Sequence, residues 1–196
     1  PIEEKLITAE ACVHHLWFDQ LRYADLGSHI KCNPAIKTPA DREGLVQGVR
    51  DDVIDVIATD HAPHTREEKA QSYFKAPAGL PLVQHSLQIL LEMHLAGHLS
   101  LPAITRKGAH NPAVLFGVVD RGFIREGHFA DLVAVDLDVP QQVTPDSLLY
   151  KCGWSPFEGE RFSSSIYLTI LNGDIVFRDG VVKDEPLGRR LDFAAK

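Results

Sequence analysis

The run VIDVIATD, residues 53–60, constrains this chain more than any other stretch. It is mostly β-branched and apolar, with no regular polar alternation. That is the pattern of a strand buried on both faces, as in a parallel sheet. The run then stops abruptly in Asp60, His61 and, after Ala-Pro, His64. A buried strand that finishes in a carboxylate and two imidazoles points to chemistry at its end.

The neighbouring segments read as alternating strands and helices. KLITAEACVHHLWF predicts a strand over roughly Leu6–Cys12 that runs into His14 and His15. GSHIKCNPAIKT predicts a second short strand, His29–Cys32, stopped by Asn33-Pro34. TPADREGLVQGVRDD predicts a helix, with Thr38 as N-cap and Pro39 at the first helical position, where its missing N–H costs nothing. LPLVQHSLQILLEMHLAGHL predicts a long amphipathic helix with a leucine stripe. SLPAITRKGAHNPAVLFG predicts two short helices split at Asn111-Pro112.

After Gly117 the texture changes. FIREGHFADLVAVDLD and SIYLTILNGDIVFRDGVV alternate as strands do, and Asn172-Gly173 and Asp179-Gly180 are two-residue hairpin signals. CGWSPFEGERFSSS reads as a loop crossing the surface. The expected organisation is therefore α/β over residues 1–117 and a small β portion over 118–196. The first part fits the last strands of a βα barrel or of a doubly wound sheet.

A net charge of -7 argues against nucleic acid or an anionic membrane as partner. No apolar run is long enough to span a bilayer, and the first residues lack the features of a signal peptide. The three cysteines, Cys12, Cys32 and Cys152, are odd in number and widely spaced, so they read as reduced thiols of a cytoplasmic protein.

In a βα barrel the catalytic groups sit at the C-terminal strand ends. Three expected strand ends here carry polar groups: His14 with His15, then Asn33, then Asp60 with His61 and His64. One such histidine alone is usually structural, but three consecutive ends suggest a shared site. Asp60 could serve as an N-cap, yet it fits better as a metal-bound carboxylate or general base at the mouth. His94 and His98 have a chelating H-x-x-x-H spacing but no Glu directly after the first His, and they sit in a leucine-rich helix. They read as structural, as do His29, His85, His110 and His128.

TDHAPH, with EACVHHL upstream and Asn33-Pro34 between, resembles the dihydroorotases, cyclic amidases of the amidohydrolase superfamily. GFIREGHFADLVAVD, WSPFEGERF and TILNGDIVFRDG extend the resemblance over essentially the whole chain. It implies the C-terminal part of a (β/α)8 metal-dependent hydrolase barrel followed by part of a small β-sandwich. It implies a cytoplasmic zinc enzyme of pyrimidine biosynthesis that interconverts L-dihydroorotate and N-carbamoyl-L-aspartate. By motif, His14 would bind one Zn2+, and Asp60 would bind the other and shuttle the proton. Asn33 and His64 would contact the substrate, and the backbone at Ala78 and Gly79 would pack on its ring. His61 gets no role beyond a structural hydrogen bond.

Three departures qualify this. Val13 replaces the family's proline, and LVQHS follows Gly79-Leu80-Pro81 where relatives carry a different run. No H-x-H pair, the family's first zinc ligands, occurs in the chain. The resemblance thus implies a C-terminal portion, with strands one to five and the remaining ligands upstream. Alone, the chain would bind zinc weakly or at one site and would not turn over. It would associate as a homo-oligomer or dock on its missing half. Other cyclic amidases, such as allantoinase or dihydropyrimidinase, share the scaffold, and a non-catalytic homologue is the reading from a different class.

Overall fold

A computed structural model describes residues 2–194. Two short parallel strands, β1 (Glu10–Cys12) and β2 (Val56–Ala58), pair with Glu10 opposite Val56, Ala11 opposite Ile57 and Cys12 opposite Ala58. Between them come α1 (Val13–Trp17), α2 (Tyr23–Leu26) and α3 (Pro39–Arg50). The N-terminus of α3 forms as its sequence predicts. The Thr38 hydroxyl accepts from the Asp41 N–H, and the Asp41 carboxylate accepts from the Thr38 N–H. Val46 and Val49 turn from α3 into the core.

After β2 follow α4 (Arg66–Lys69), α5 (Ser86–Leu95), α6 (Leu101–Thr105) and α7 (Asn111–Phe116). A π-helical turn, Arg106–His110, joins α6 to α7. Pro112 has no N–H to offer the Gly108 carbonyl, and the turn before it widens. The expected helix break therefore lies just ahead of Asn111.

The remaining strands are β3 (Leu132–Asp136), β4 (Gln141–Gln142), β5 (Arg161–Phe162), β6 (Ser165–Leu171), β7 (Asp174–Arg178) and β8 (Val181–Val182). β3, β6, β7 and β8 form one antiparallel sheet in that order, and β4 pairs with β5. The β6–β7 and β7–β8 connections are the hairpins that Asn172-Gly173 and Asp179-Gly180 predict; Asn172 and Asp179 have φ of 55° and 49°.

One core joins Val13, Leu16 and Phe18 to Val46, Val49, Ile57, Leu82, Ile89 and Met93. Val143, Phe157 and Phe162 belong to the same core.

Four expectations need correction. The first strand is only Glu10–Cys12, because only those residues have a ladder partner in β2; Leu6 and Ile7 are exposed. His29–Cys32 is not a strand: Gly27–Ile30 is a 3-10 turn, and the Lys31 carbonyl accepts from the Gly79 N–H and the Lys69 ammonium instead of a ladder. The long helix starts only at Ser86. Ahead of it Leu82 and Val83 give their N–H groups to His61, and Gln84 gives its own to the Tyr150 hydroxyl. Finally, CGWSPFEGERFSSS is irregular but not superficial, since Trp154, Phe157 and Phe162 are buried. Its Gly, Pro and Ser set the backbone, while its aromatics supply the burial, each worth roughly 1.5–3 kcal/mol.

Candidate functional site

β1 and β2 end level, because Cys12 pairs with Ala58. The residues that leave the two strands therefore emerge on one edge. Cys12, His15, Asn33 and Asp60 line a cavity of about 710 Å3 there, with Lys37, Asp41 and Arg42 on its wall. Asp60 is exposed and has φ 48°, a left-handed conformation that Asp tolerates better than most residues.

His14 lies beside this edge in the first turn of α1. It is fully buried, and among the described residues neither ring nitrogen makes a hydrogen bond of good geometry. Burial pushes its pKa down to about 3; His15 adds to the shift and the Thr59 carbonyl opposes it. At neutral pH His14 is thus an uncharged imidazole with a free lone pair. Leaving such a group buried and unpartnered costs roughly 1–3 kcal/mol.

The His15 ring lies tilted against it, with ring centroids 4.1 Å apart and 42° between the planes. Its Nε2 donates to the Pro34 carbonyl at 2.8 Å, which leaves Nδ1 as an acceptor. One donor atom each from Cys12, His14 and His15 lie within 4.8 Å of one another. Two imidazoles and a thiol suit zinc or a similar cation. The orphaned His14 and this donor set fit a metal. The Cys12 thiol is pushed up to about 11, first by burial and then by Asp60 and Glu10.

His64, Ala78 and Gly79 form a second group. His64 Nε2 donates to the Ala78 carbonyl at 3.1 Å, and its Nδ1 is 3.6 Å from the Glu68 carboxylate. Trp154 Nε1 donates to the His64 carbonyl at 2.7 Å. Gly79 has φ 139°, and a Cβ there would sit 2.5 Å from the Ala62 carbonyl oxygen and 3.1 Å from His64 Cδ2. Only glycine fits.

Asn33 and Asp60 thus share a cavity with His14 next to it, whereas His64, Ala78 and Gly79 cluster apart. The two groups meet through residues 31–33, since the Gly79 N–H donates to the Lys31 carbonyl at 2.9 Å. Cys12 and His15 join the donor set, although from the sequence His15 is only His14's neighbour at the strand end and Cys12 only a reduced thiol. The available signal was Cys12 lying two residues before His14, at the end of the same strand. His61 is structural, its Nδ1 accepting from the Leu82 and Val83 N–H groups at 3.0 and 3.3 Å. His94 Nδ1 donates to the Leu99 carbonyl at 2.9 Å, and among the described residues the H-x-x-x-H pair belongs to no cluster of three or more metal-ligating side chains. No helix among the described residues is long and apolar enough to cross a membrane.

No protein-family model matches the chain. It is 43% identical over 152 residues to a dihydroorotase of Halobacterium salinarum, covering 78% of this chain and 36% of that protein. It is 35% identical over 172 residues to a dihydroorotase of Clostridioides difficile, covering 87% of this chain and 40% of that protein. Among solved structures it resembles an L-hydantoinase (dihydropyrimidinase) from Arthrobacter aurescens, with a TM-score of 0.83 and 26% identity, over 91% of this chain and 41% of the other. The chain therefore spans about two fifths of the length of the proteins it matches. Across most of its own length, and in a mixed α/β fold shared with cyclic amidohydrolases, the chain is a relative of the dihydroorotases.

Proposed function

We propose that this chain forms the C-terminal portion of a zinc-dependent dihydroorotase. The complete protein would interconvert L-dihydroorotate and N-carbamoyl-L-aspartate. In this reading residues 1–117 are the last strands and helices of a (β/α)8 barrel, and 118–196 are part of a β-sandwich. The observation that carries it is His14, buried with neither nitrogen well hydrogen-bonded among the described residues, beside the cavity that holds Asp60 and Asn33.

His14 and Asp60 would hold Zn2+, with the other ligands supplied from upstream. Bound zinc acts as a Lewis acid toward the ring carbonyl and makes water a stronger nucleophile. Asp60 lies on the open side of the cavity, where its carboxylate can take a proton and return it to the leaving ring nitrogen. Ring closure uses the same transfers in reverse. The Asn33 side-chain amide can donate to the substrate carboxylate. His64 would join it by turning its Nε2–H from the Ala78 carbonyl to the substrate. The backbone at Ala78 and Gly79, free of bulk at Gly79, offers a flat face to the ring. The hydrophilic substrate and the acidic balance suit a cytoplasmic enzyme.

The fold similarity to hydantoinases keeps a second cyclic amide in view. The test is to assay the complete barrel, this chain with its upstream half, against dihydroorotate, dihydropyrimidine, allantoin and hydantoin. Dihydroorotate should be strongly preferred, and Asp60→Asn should abolish turnover with the fold intact. Preference for another ring would change the substrate. Retained turnover in Asp60→Asn would remove Asp60 from the proton transfer. A complete barrel without bound zinc or turnover would favour a non-catalytic homologue.

A further inference from the structure

Lys69 ends α4 and is fully buried. Its Nζ donates to the Pro77 and Gly79 carbonyls at 2.9 Å each and to the Lys31 carbonyl at 3.2 Å. An ammonium has three donors, and all three are used by backbone. No carboxylate pairs with it among the described residues. An unpaired buried charge is expensive, and an apolar side chain would fill the same space more cheaply.

What the charge achieves is a junction. The Lys31 carbonyl belongs to the segment that presents Asn33. The Pro77 and Gly79 carbonyls flank Ala78. α4 itself starts directly after His64, with Thr65 as its cap. The Ser28 hydroxyl donates to the Lys69 carbonyl and ties the helix end to the same region. One side chain therefore joins the three segments that carry Asn33, His64 and Ala78–Gly79.

We infer that Lys69 is a positioning residue for substrate binding, whose ammonium fixes the spacing between the Asn33 segment and the Ala78–Gly79 loop. This rests on the dihydroorotase reading above. Burial pushes the Lys69 pKa down to about 8; Cys32 favours its charge and Lys31 opposes it. The 77–79 loop presents no titratable side chain. Above pH 8 the neutral amine has one donor fewer than it has carbonyl partners, and the junction loosens.

The test uses the complete barrel, with Lys69→Met, Lys69→Arg and the wild type compared for KM, kcat and zinc content. Lys69→Met should raise KM for dihydroorotate about tenfold, with kcat within about threefold of wild type and zinc unchanged. Lys69→Arg should restore most of the loss. Wild-type KM should rise above about pH 8, and this rise should be absent in Lys69→Arg, which stays charged throughout. If Lys69→Met fails to fold, the wild-type and Lys69→Arg pH profiles decide alone. Equal losses of kcat, zinc and melting temperature in Lys69→Met would make Lys69 merely structural. A KM rise that persists in Lys69→Arg would assign it to another group. Either result overturns the inference. If the wild-type barrel prefers another cyclic amide, the substrate reading fails, and the same comparison made with that amide still decides the role of Lys69.

Discussion

Gly79→Ala should be among the most damaging single-methyl additions in this chain. At φ 139° any L-residue is strained, and the new Cβ would lie 2.5 Å from the Ala62 carbonyl oxygen, 2.9 Å from Ala62 Cβ and 3.1 Å from His64 Cδ2. The conformational part costs roughly 1–2 kcal/mol. Backbone atoms cannot swing aside as a flexible side chain would, so the overlap adds roughly 1–3 kcal/mol. The total is roughly 2–5 kcal/mol. With a urea slope of roughly 2 kcal/mol/M, the unfolding midpoint should fall by about 1–2.5 M.

Gly159→Ala is the matched control. Gly159 also has positive φ, 86°, but nothing lies within 4 Å of its would-be Cβ. It should cost only the conformational part, roughly 1–2 kcal/mol. Urea unfolding of both variants, followed by tryptophan fluorescence, separates strain from collision. A Gly79→Ala midpoint no lower than that of Gly159→Ala would refute the close approach of the 77–79 backbone to Ala62 and His64. In the complete barrel the same substitution should also raise KM, if the displaced backbone is the face proposed above to meet the ring.

Two further predictions concern the buried layer beneath the site. His85 is buried among Tyr150, Phe157 and Phe162, and burial lowers its pKa from 6.5 to about 4. Below pH 6.5 the unfolded chain takes up a proton that the folded chain refuses. Its contribution of about 3 kcal/mol is therefore present above pH 6.5 and lost as pH falls toward 4. Urea midpoints across that window should fall, and His85→Phe should lessen the slope without abolishing it, because His14, lowered to about 3, contributes in the same direction; an unchanged slope would exclude His85 as one of its sources. Trp154→Ala should cost roughly 3–5 kcal/mol through the cavity it leaves. Trp154→Phe should cost much less, roughly 1–2 kcal/mol, mainly the hydrogen bond to the His64 carbonyl. Thermal or urea unfolding checks both, and equal losses would mean that packing at Trp154 contributes little.

The legible parts of this fold are those whose signals are local. The β-branched run that ends at Asp60 does contain a parallel strand, because alternation was absent where both faces are covered. Thr38, Pro39 and Asp41 cap α3 with atoms three residues apart, so the cap could be read from the chain alone. Asn172-Gly173 and Asp179-Gly180 needed only their own φ preferences. The segments that were misread depend on distant partners. Residues 29–32 have strand-like composition, but the Lys31 carbonyl is taken by Gly79 and Lys69. Residues 82–84 continue a helical pattern, but their N–H groups go to His61 and Tyr150. Lys69 could not have been singled out. REEKA reads as a solvated charge run, and the carbonyls that enclose Lys69 carry no mark in the sequence.

The same contrast holds at the site. Asp60 and His14 stand out because chelating side chains just past a strand end are unusual, whereas Asn33 stood out at a strand end that the fold does not have. The groups that hold the Ala78–Gly79 loop in place do not stand out. Trp154 grips the His64 backbone from residues far along the chain, Lys69 grips the loop from below, and Gly79 lets Ala62 approach. Each acts on backbone, not on a side chain, so substitution of the loop's own side chains would leave the bracing intact. A loop held by its backbone on three sides loses little further freedom when a ligand settles on it. The irregular 152–165 segment reaches the same region through Trp154, whose Nε1 donates to the His64 carbonyl.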